Sequence, residues 1–408
     1  MGGAHAHGHD VHADTARGPR RALIAFLAVV GAATLVGLVV LWPTSSPPSV
    51  QFAAEGVTFP TAEVLAVNDP CPVITSDPSA PADKRQDFPE GCNQVDVRVL
   101  QGDAKGARTT IDVPPGVAES GLRAGDEVKL AAIPAHADRP ATFGYFGTEG
   151  TVPIIWLTVL FVVVVAVVAR VRGLLALLGL VFAGVVLAKF MLPALLLGSS
   201  GLAVALVGAS AIMFVVLYLA HGLSVRTSTA LAGTLVGVAI IALLGLYAVD
   251  AARLSGVGGE GELLRLHAPD LNFRGLLTCA VIIAGLGILN DVTITQSSAV
   301  WELRAAAPEM SRRQLFTSGM RIGRDHIAST IYTIVFAYAG TALAVLLLLS
   351  LYDRPVFDLL TDEAIAEEVL RTLASAIGLV LAVPATTAIA AGTVAPAVRA
   401  DRPSPVHA

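Results

Sequence analysis

Eight apolar runs of about twenty residues dominate this chain, at 22–42, 152–169, 173–192, 201–220, 229–248, 275–295, 327–350 and 371–394. A helical run of that length spans a hydrocarbon core about 30 Å thick. In lipid every backbone N–H and C=O must be paired inside the protein, and a helix pairs them within one segment. The runs therefore predict an α-helical integral membrane protein with about eight transmembrane helices. Composition agrees: 54% of the 408 residues are apolar and 14% are charged, against about 25% charged in a soluble domain. The net charge of −5 argues against nucleic acid as a partner.

The connectors set the expected orientation, because cytoplasmic loops are rich in Lys and Arg. With the N-terminus inside, the cytoplasmic connectors are 170–172, 221–228 and 296–326. The last holds Arg304, Arg312, Arg313, Arg321 and Arg324. The outer connectors are 43–150, 193–200, 249–274 and 351–370, and the last carries six acidic residues against Arg354 alone. Both termini are then cytoplasmic.

The expected domains follow. Residues 1–21 are a disordered His-rich cytoplasmic tail, and 22–42 form the first transmembrane helix. Residues 43–150 are an extracytoplasmic β domain. Residues 151–396 are a seven-helix membrane domain, and 397–408 a second cytoplasmic tail. The run at 22–42 is longer than the usual signal-peptide core, which favours an anchor over a cleaved leader. His5, His7, His9 and His12 are candidate ligands for a divalent metal; a solvated tail without ligand is the alternative.

The region 43–150 alternates β-like runs such as QVDVRVLQ and DEVKLAAI with turn signals such as Asn68-Asp69-Pro70 and Pro114-Pro115-Gly116. It predicts a small β-rich barrel or sandwich of about five or six antiparallel strands. Cys71 and Cys92 pair as a disulfide if this region faces outside, and stay free thiols otherwise. Cys279 lies in an apolar run and reads as packing.

Polar residues that could carry chemistry concentrate in 285–340. Asp291, Thr295, Ser298 and Glu302 stand at i, i+4, i+7 and i+11, one stripe of a helix. Asn290, Thr293, Gln296 and Ser297 widen it. An ionised Asp in hydrocarbon costs several kcal/mol, so such a residue faces protein or water. Arg321, Asp325, Ser329 and Thr333 form a second stripe with Arg324 beside it; charges at headgroup level explain Arg324 and Asp325 equally well. The candidate substrate or ion pathway is Asn290, Asp291, Thr295, Ser298, Glu302, Arg324 and Asp325. Elsewhere, Gly233 and Gly237 invite close helix approach. Pro384 should kink the last helix, with Thr386 or Thr387 bonding the freed carbonyls.

The run Gly287-Ile288-Leu289-Asn290-Asp291-Val292 with Ser297-Ser298 and Glu302, followed by Ser318-Gly319-Met320 and Ile322-Gly323-Arg324-Asp325, resembles the YibE/YibF family of bacterial multispanning membrane proteins. The resemblance extends over most of the chain, including Pro153-Ile154-Ile155-Trp156-Leu157. Members often show a small residue and Met before the Asp, so Asp291 matches while its neighbours differ. The resemblance implies a multi-pass protein of the bacterial plasma membrane and carries no reaction with it.

The expected function is transport or permeation of a small solute or ion through a polar site around Asp291. The alternative is a non-transporting scaffold or sensor that binds an envelope partner through its outer domain. Expected partners are membrane lipid, an unknown small solute or ion, and a second copy or an envelope protein. No Walker motif, HExxH or Gly-x-Gly-Asp occurs, so neither an enzyme nor a cofactor is expected.

Overall fold

The computed structural model describes residues 15–46, 51–69, 71, 92–135, 141–258, 261–351, 358 and 362–397. His5, His7, His9 and His12 lie outside the described residues. The chain forms two compact units, one of residues 49–164 and one of residues 1–48 with 165–408.

The first unit is built on five strands: β1 Thr61–Val67, β2 Gln94–Val99, β3 Arg108–Asp112, β4 Glu127–Ile133 and β5 Thr142–Thr148. All pairings are antiparallel, in the order β3-β2-β1-β4-β5. Period-two alternation sends one face inward: Val95, Val97 and Val99 of β2 are buried with Val64, Ile111, Val128 and Leu130. Register shifts at Val64/Ala66 and Lys129/Leu130 add twist and curl the sheet until β3 and β5 come within 8 Å of each other. The expected barrel or sandwich is thus a single curled sheet. Its end is plugged by Val113, Leu122 and the one-turn helix α2, Pro115–Ala118. Cys71 and Cys92 are joined as a disulfide across the β1–β2 connection, with Cα atoms 4.8 Å apart.

The remaining helices are α1 Arg17–Val40, α3 Thr151–Val186, α4 Leu192–Leu196, α5 Gly201–His221, α6 Val225–Ala251, α7 Gly261–His267, α8 Phe273–Ala306, α9 Arg312–Thr341, α10 Leu343–Leu351 and, last, α11 Glu363–Thr393. A π-helical turn at Leu187–Met191 joins α3 to α4. The second unit is organised around α6, α8 and α11, which pack on one another, with α5, α9 and α1 around them. Gly237 serves two of these approaches at once: a Cβ there would stand 2.6 Å from Leu289 of α8 and 3.2 Å from Ala382 of α11. Gly233 likewise leaves no room for a Cβ against Thr386. The small pair thus lets three helices meet, as read from sequence. Trp42, just past α1, stacks on Phe190 of the π turn at 5.9 Å.

Six helical stretches are long and apolar enough to cross a membrane among the described residues: Arg17–Val40, Thr151–Leu196, Gly201–His221, Val225–Ala251, Phe273–Ala306 and Glu363–Thr393. Three expected boundaries differ. The runs 152–169 and 173–192 fall in one 46-residue stretch, whose backbone leaves helical geometry at Arg170 (φ 53°, ψ −140°). The run 327–350 is divided at Ala342, between α9 and α10, and α9 is not among the six because its first half is polar. The last helix starts at Glu363 rather than near 371. Asp362 caps it by accepting the Ala364 N–H at 3.1 Å, and acidic residues favour the positive end of a helix. Charge marked 362–370 as a connector, whereas the same charge is what starts the helix.

Candidate functional site

The polar residues singled out in 285–340 all lie on α8 and α9, joined by a five-residue connection that ends in a capping box. Ser311 accepts the Gln314 N–H and Gln314 accepts the Ser311 N–H. Helix α8 has 34 residues, about 50 Å of rise, which exceeds a hydrocarbon core of about 30 Å. Asp291 stands eighteen residues into it, about 27 Å along the axis, so a helix entering the bilayer at Phe273 brings Asp291 to the far edge.

Two faces of α8 divide its polar groups. The inner face carries Thr293, Gln296 and Ser297, all buried. Gln296 Nε2 donates to the Gly319 carbonyl of α9 at 2.8 Å and to the Thr387 hydroxyl of α11 at 2.7 Å. Thr387 passes its own proton to the Val383 carbonyl at 2.7 Å. Thr387 thus bonds the carbonyl four residues before itself and not that of Val380, which the missing Pro384 N–H frees, and the Thr386 hydroxyl has no partner among the described residues. Thr293 pairs with Thr234 of α6 at 2.7 Å, and Ser297 donates to the Arg226 carbonyl at 2.8 Å. One amide and two hydroxyls therefore tie α8 to α6, α9 and α11.

The other face holds the predicted stripe. Asp291, Thr295 and Glu302 are exposed and Ser298 is half-buried. Thr295 donates to the Asp291 carbonyl at 2.8 Å. The stripe exists, and it flanks the packed seam instead of lying inside it. Asn290 sits between the two faces, and its Oδ1 is buried with no partner among the described residues.

Asp291 meets a residue that the sequence reading did not include. Its Oδ2 lies 3.8 Å from His326 Nε2 of α9. The Asp291 side chain is 69% exposed and the His326 side chain 29%. His326 Nε2 is itself buried, and no group of the described residues reaches it at hydrogen-bond distance. An acid and an imidazole so placed can hold a proton between them or share a cation or water. His326 stands thirty-five residues from Asp291, beyond any helical repeat; it was legible only as the last residue of the basic connector. Arg321, Arg324 and Asp325 are exposed on α9, and among the described residues no ion pair links either Arg to Asp325.

Two further features lie at the ends of the helices. Arg304, read as part of the solvated connector, is 4% exposed. Its Nη1 donates to the Pro308 carbonyl at 2.7 Å, and its Nε and Nη2 have no partner among the described residues. At the start of α11, Glu363 accepts the Ser255 N–H at 2.6 Å and Glu367 the Gly258 N–H at 3.3 Å. Beside them a cavity of about 500 Å³ is lined by Tyr338, Ala342, Leu346, Glu368, Arg371 and Thr372, with Arg371 paired to Glu368 at 2.6 Å. Among the described residues no group of three or more His, Cys, Asp or Glu side chains is placed to hold a metal ion.

No curated protein and no solved structure matches this chain. A family model does, over residues 157–396. The match covers more than half of the chain and takes in the packed helices α5, α6, α8 and α11 together with Asp291 and His326. The chain belongs to the YibE/F-like protein family.

Proposed function

We propose that this protein is a multi-pass transporter or permease of the bacterial plasma membrane, moving a small solute or ion past Asp291. The observation that carries this reading is the Asp291–His326 pair at 3.8 Å, with the preceding residue, Asn290, holding a buried Oδ1 that has no partner among the described residues. Ionisable residues in helices of this kind usually mark pathways for ions or protons. The inner seam through Gln296 and Thr293 holds the neighbouring helices in register around them.

Eight crossings fit this reading better than six. A 46-residue helix would run about 69 Å, over twice the hydrocarbon thickness, and the turn at Arg170 divides it. The apolar half of α9 with α10 supplies another crossing. The Ala16 N–H donates to the Thr393 carbonyl at 3.1 Å, which supports residues 16 and 393 lying at one end of the bundle with an even number of crossings between them. The positive-inside rule puts that end in the cytoplasm.

The test is flux in proteoliposomes holding the purified full chain, with proton and divalent-cation indicators inside. Gradient-driven flux that Asp291→Asn abolishes, at normal yield and monodispersity, is the expected result. Unchanged flux in that variant would remove Asp291 from the pathway.

One observation favours a scaffold or sensor as the second reading. The unit 49–164 has its own apolar core of Val64, Val97, Val128 and Leu130, as a domain built to present a binding surface would. Capture of one envelope protein through this unit, unaffected by Asp291→Ala and without flux by the chain alone, would support it.

A further inference from the structure

The outer surface of the β unit carries a cluster of aromatic rings that its core does not need. Phe52, Phe59 and Phe146 pack ring on ring, with centroids 5.5 Å apart for Phe52–Phe59, 5.8 Å for Phe52–Phe146 and 4.6 Å for Phe59–Phe146. Phe52 is 77% exposed and Phe146 45%. None of the three belongs to the buried core of this unit. Two exposed rings, Phe52 and Phe146, packed on a half-buried Phe59 are costly to leave against water.

Their position in the chain says what covers them. Phe52 follows the end of α1 at Val40 by twelve residues, and Phe146 precedes the start of α3 at Thr151 by five. Five residues reach at most about 18 Å. Both helices belong to stretches apolar enough to cross a membrane. The joint between β5 and α3 is also short and tied down. Only Glu149 and Gly150 lie between the two elements. The Glu149 N–H donates to the Glu127 carbonyl at 3.0 Å, and its carboxylate pairs with Lys129 at 3.1 Å. The strand that carries Phe146 is thus fastened to the helix that enters lipid. That helix opens with Val152, Ile154, Ile155 and Trp156, all exposed. The amphipathic ring of Trp156 suits the headgroup level of a bilayer, and purely apolar Phe rings suit the headgroup–acyl boundary just beneath it.

We infer that Phe52, Phe59 and Phe146 form a lipid-seating patch, which rests the β unit on the outer headgroup layer of the bilayer that α3 enters. The occupant of this face is the lipid surface. The patch holds the β unit against the lipid surface.

The test uses the full chain in nanodiscs of phosphatidylcholine and phosphatidylglycerol. Trp42, Trp156 and Trp301 are replaced by Phe, and Phe146→Trp supplies one reporter; Asp96→Trp on the outer face of β2 supplies a control. The expected result is loss of Phe146→Trp emission when the lipids are brominated near the headgroup, with protection from aqueous acrylamide. The control should respond the opposite way. Adding Phe52→Ser should shift the reporter toward acrylamide. A reporter quenched by acrylamide and blind to brominated lipid overturns the inference. So does one shielded from both quenchers, because protein, a second copy or a co-purified partner, then covers the patch.

Discussion

Asp291 on α8 and His326 on α9 face each other at 3.8 Å, although thirty-five residues and a helical reversal separate them in sequence. If the two act on one proton or ion, removing either removes the unit. The double variant Asp291→Asn/His326→Gln should then lose no more flux than the more severe single variant, since residues in one network are not additive. Flux losses that multiply would show two independent roles. The four-protein cycle in proteoliposomes measures this directly.

Gln296 is the residue on which the seam depends for fold. Gln296→Met keeps its approximate shape and leaves the Gly319 carbonyl and the Thr387 hydroxyl without their donor. A buried group stripped of its partner costs about 1–3 kcal/mol. Thermal unfolding of the purified protein in detergent should show that loss. Thr295→Ala on the exposed face of the same helix should leave the midpoint nearly unchanged.

Two glycines of the helical unit should respond in opposite directions. Gly237→Val drives side-chain carbon into Leu289 and Ala382, and overpacking of this kind costs about 1–3 kcal/mol. Gly287 has nothing within 4 Å of where a Cβ would be. Gly287→Ala should stabilise α8 by about 1 kcal/mol through helix propensity. Unfolding midpoints of the two variants, compared with the parent, decide this.

The β unit should lose stability in acid through Glu149. The Thr151 hydroxyl and the Lys129 ammonium bond its carboxylate and hold its pKa below the ordinary value of 4.5. A depressed folded pKa means that the contribution is complete above the unfolded value. It is lost as pH falls through the lower folded value. Glu149→Gln should therefore lower stability at pH 7 and flatten its dependence on pH below 4.5. Hydrogen exchange of β4 and β5 amides across that range reads the effect.

Much of this was legible in the residues. Runs such as QVDVRVLQ and DEVKLAAI located β2 and β4, and redox logic paired Cys71 with Cys92 once the region was placed outside. Gly233 and Gly237 announced a close helix contact. β5, TFGYFGT at 142–148, was missed because its glycines and aromatics blur the alternation that marked the other strands. The start of α11 was missed because acidic residues mark both outer connectors and helix N-termini, and only the cap at Asp362 distinguishes them.

By itself the sequence determined the membrane class, the two-part organisation, the family resemblance and the interest of Asp291. These follow from length, apolarity and local spacing, which are properties of contiguous residues. The tertiary structure decided which polar groups are buried and which residues meet. It put Gln296 inside and Thr295 outside, withdrew Arg304 from solvent and gave Asp291 its neighbour His326. Those outcomes depend on how α8, α9 and α11 rotate against one another. Helical rotation is set by packing at sites such as Gly237 and Gln296, drawn from segments far apart in the sequence, and no local periodicity encodes it.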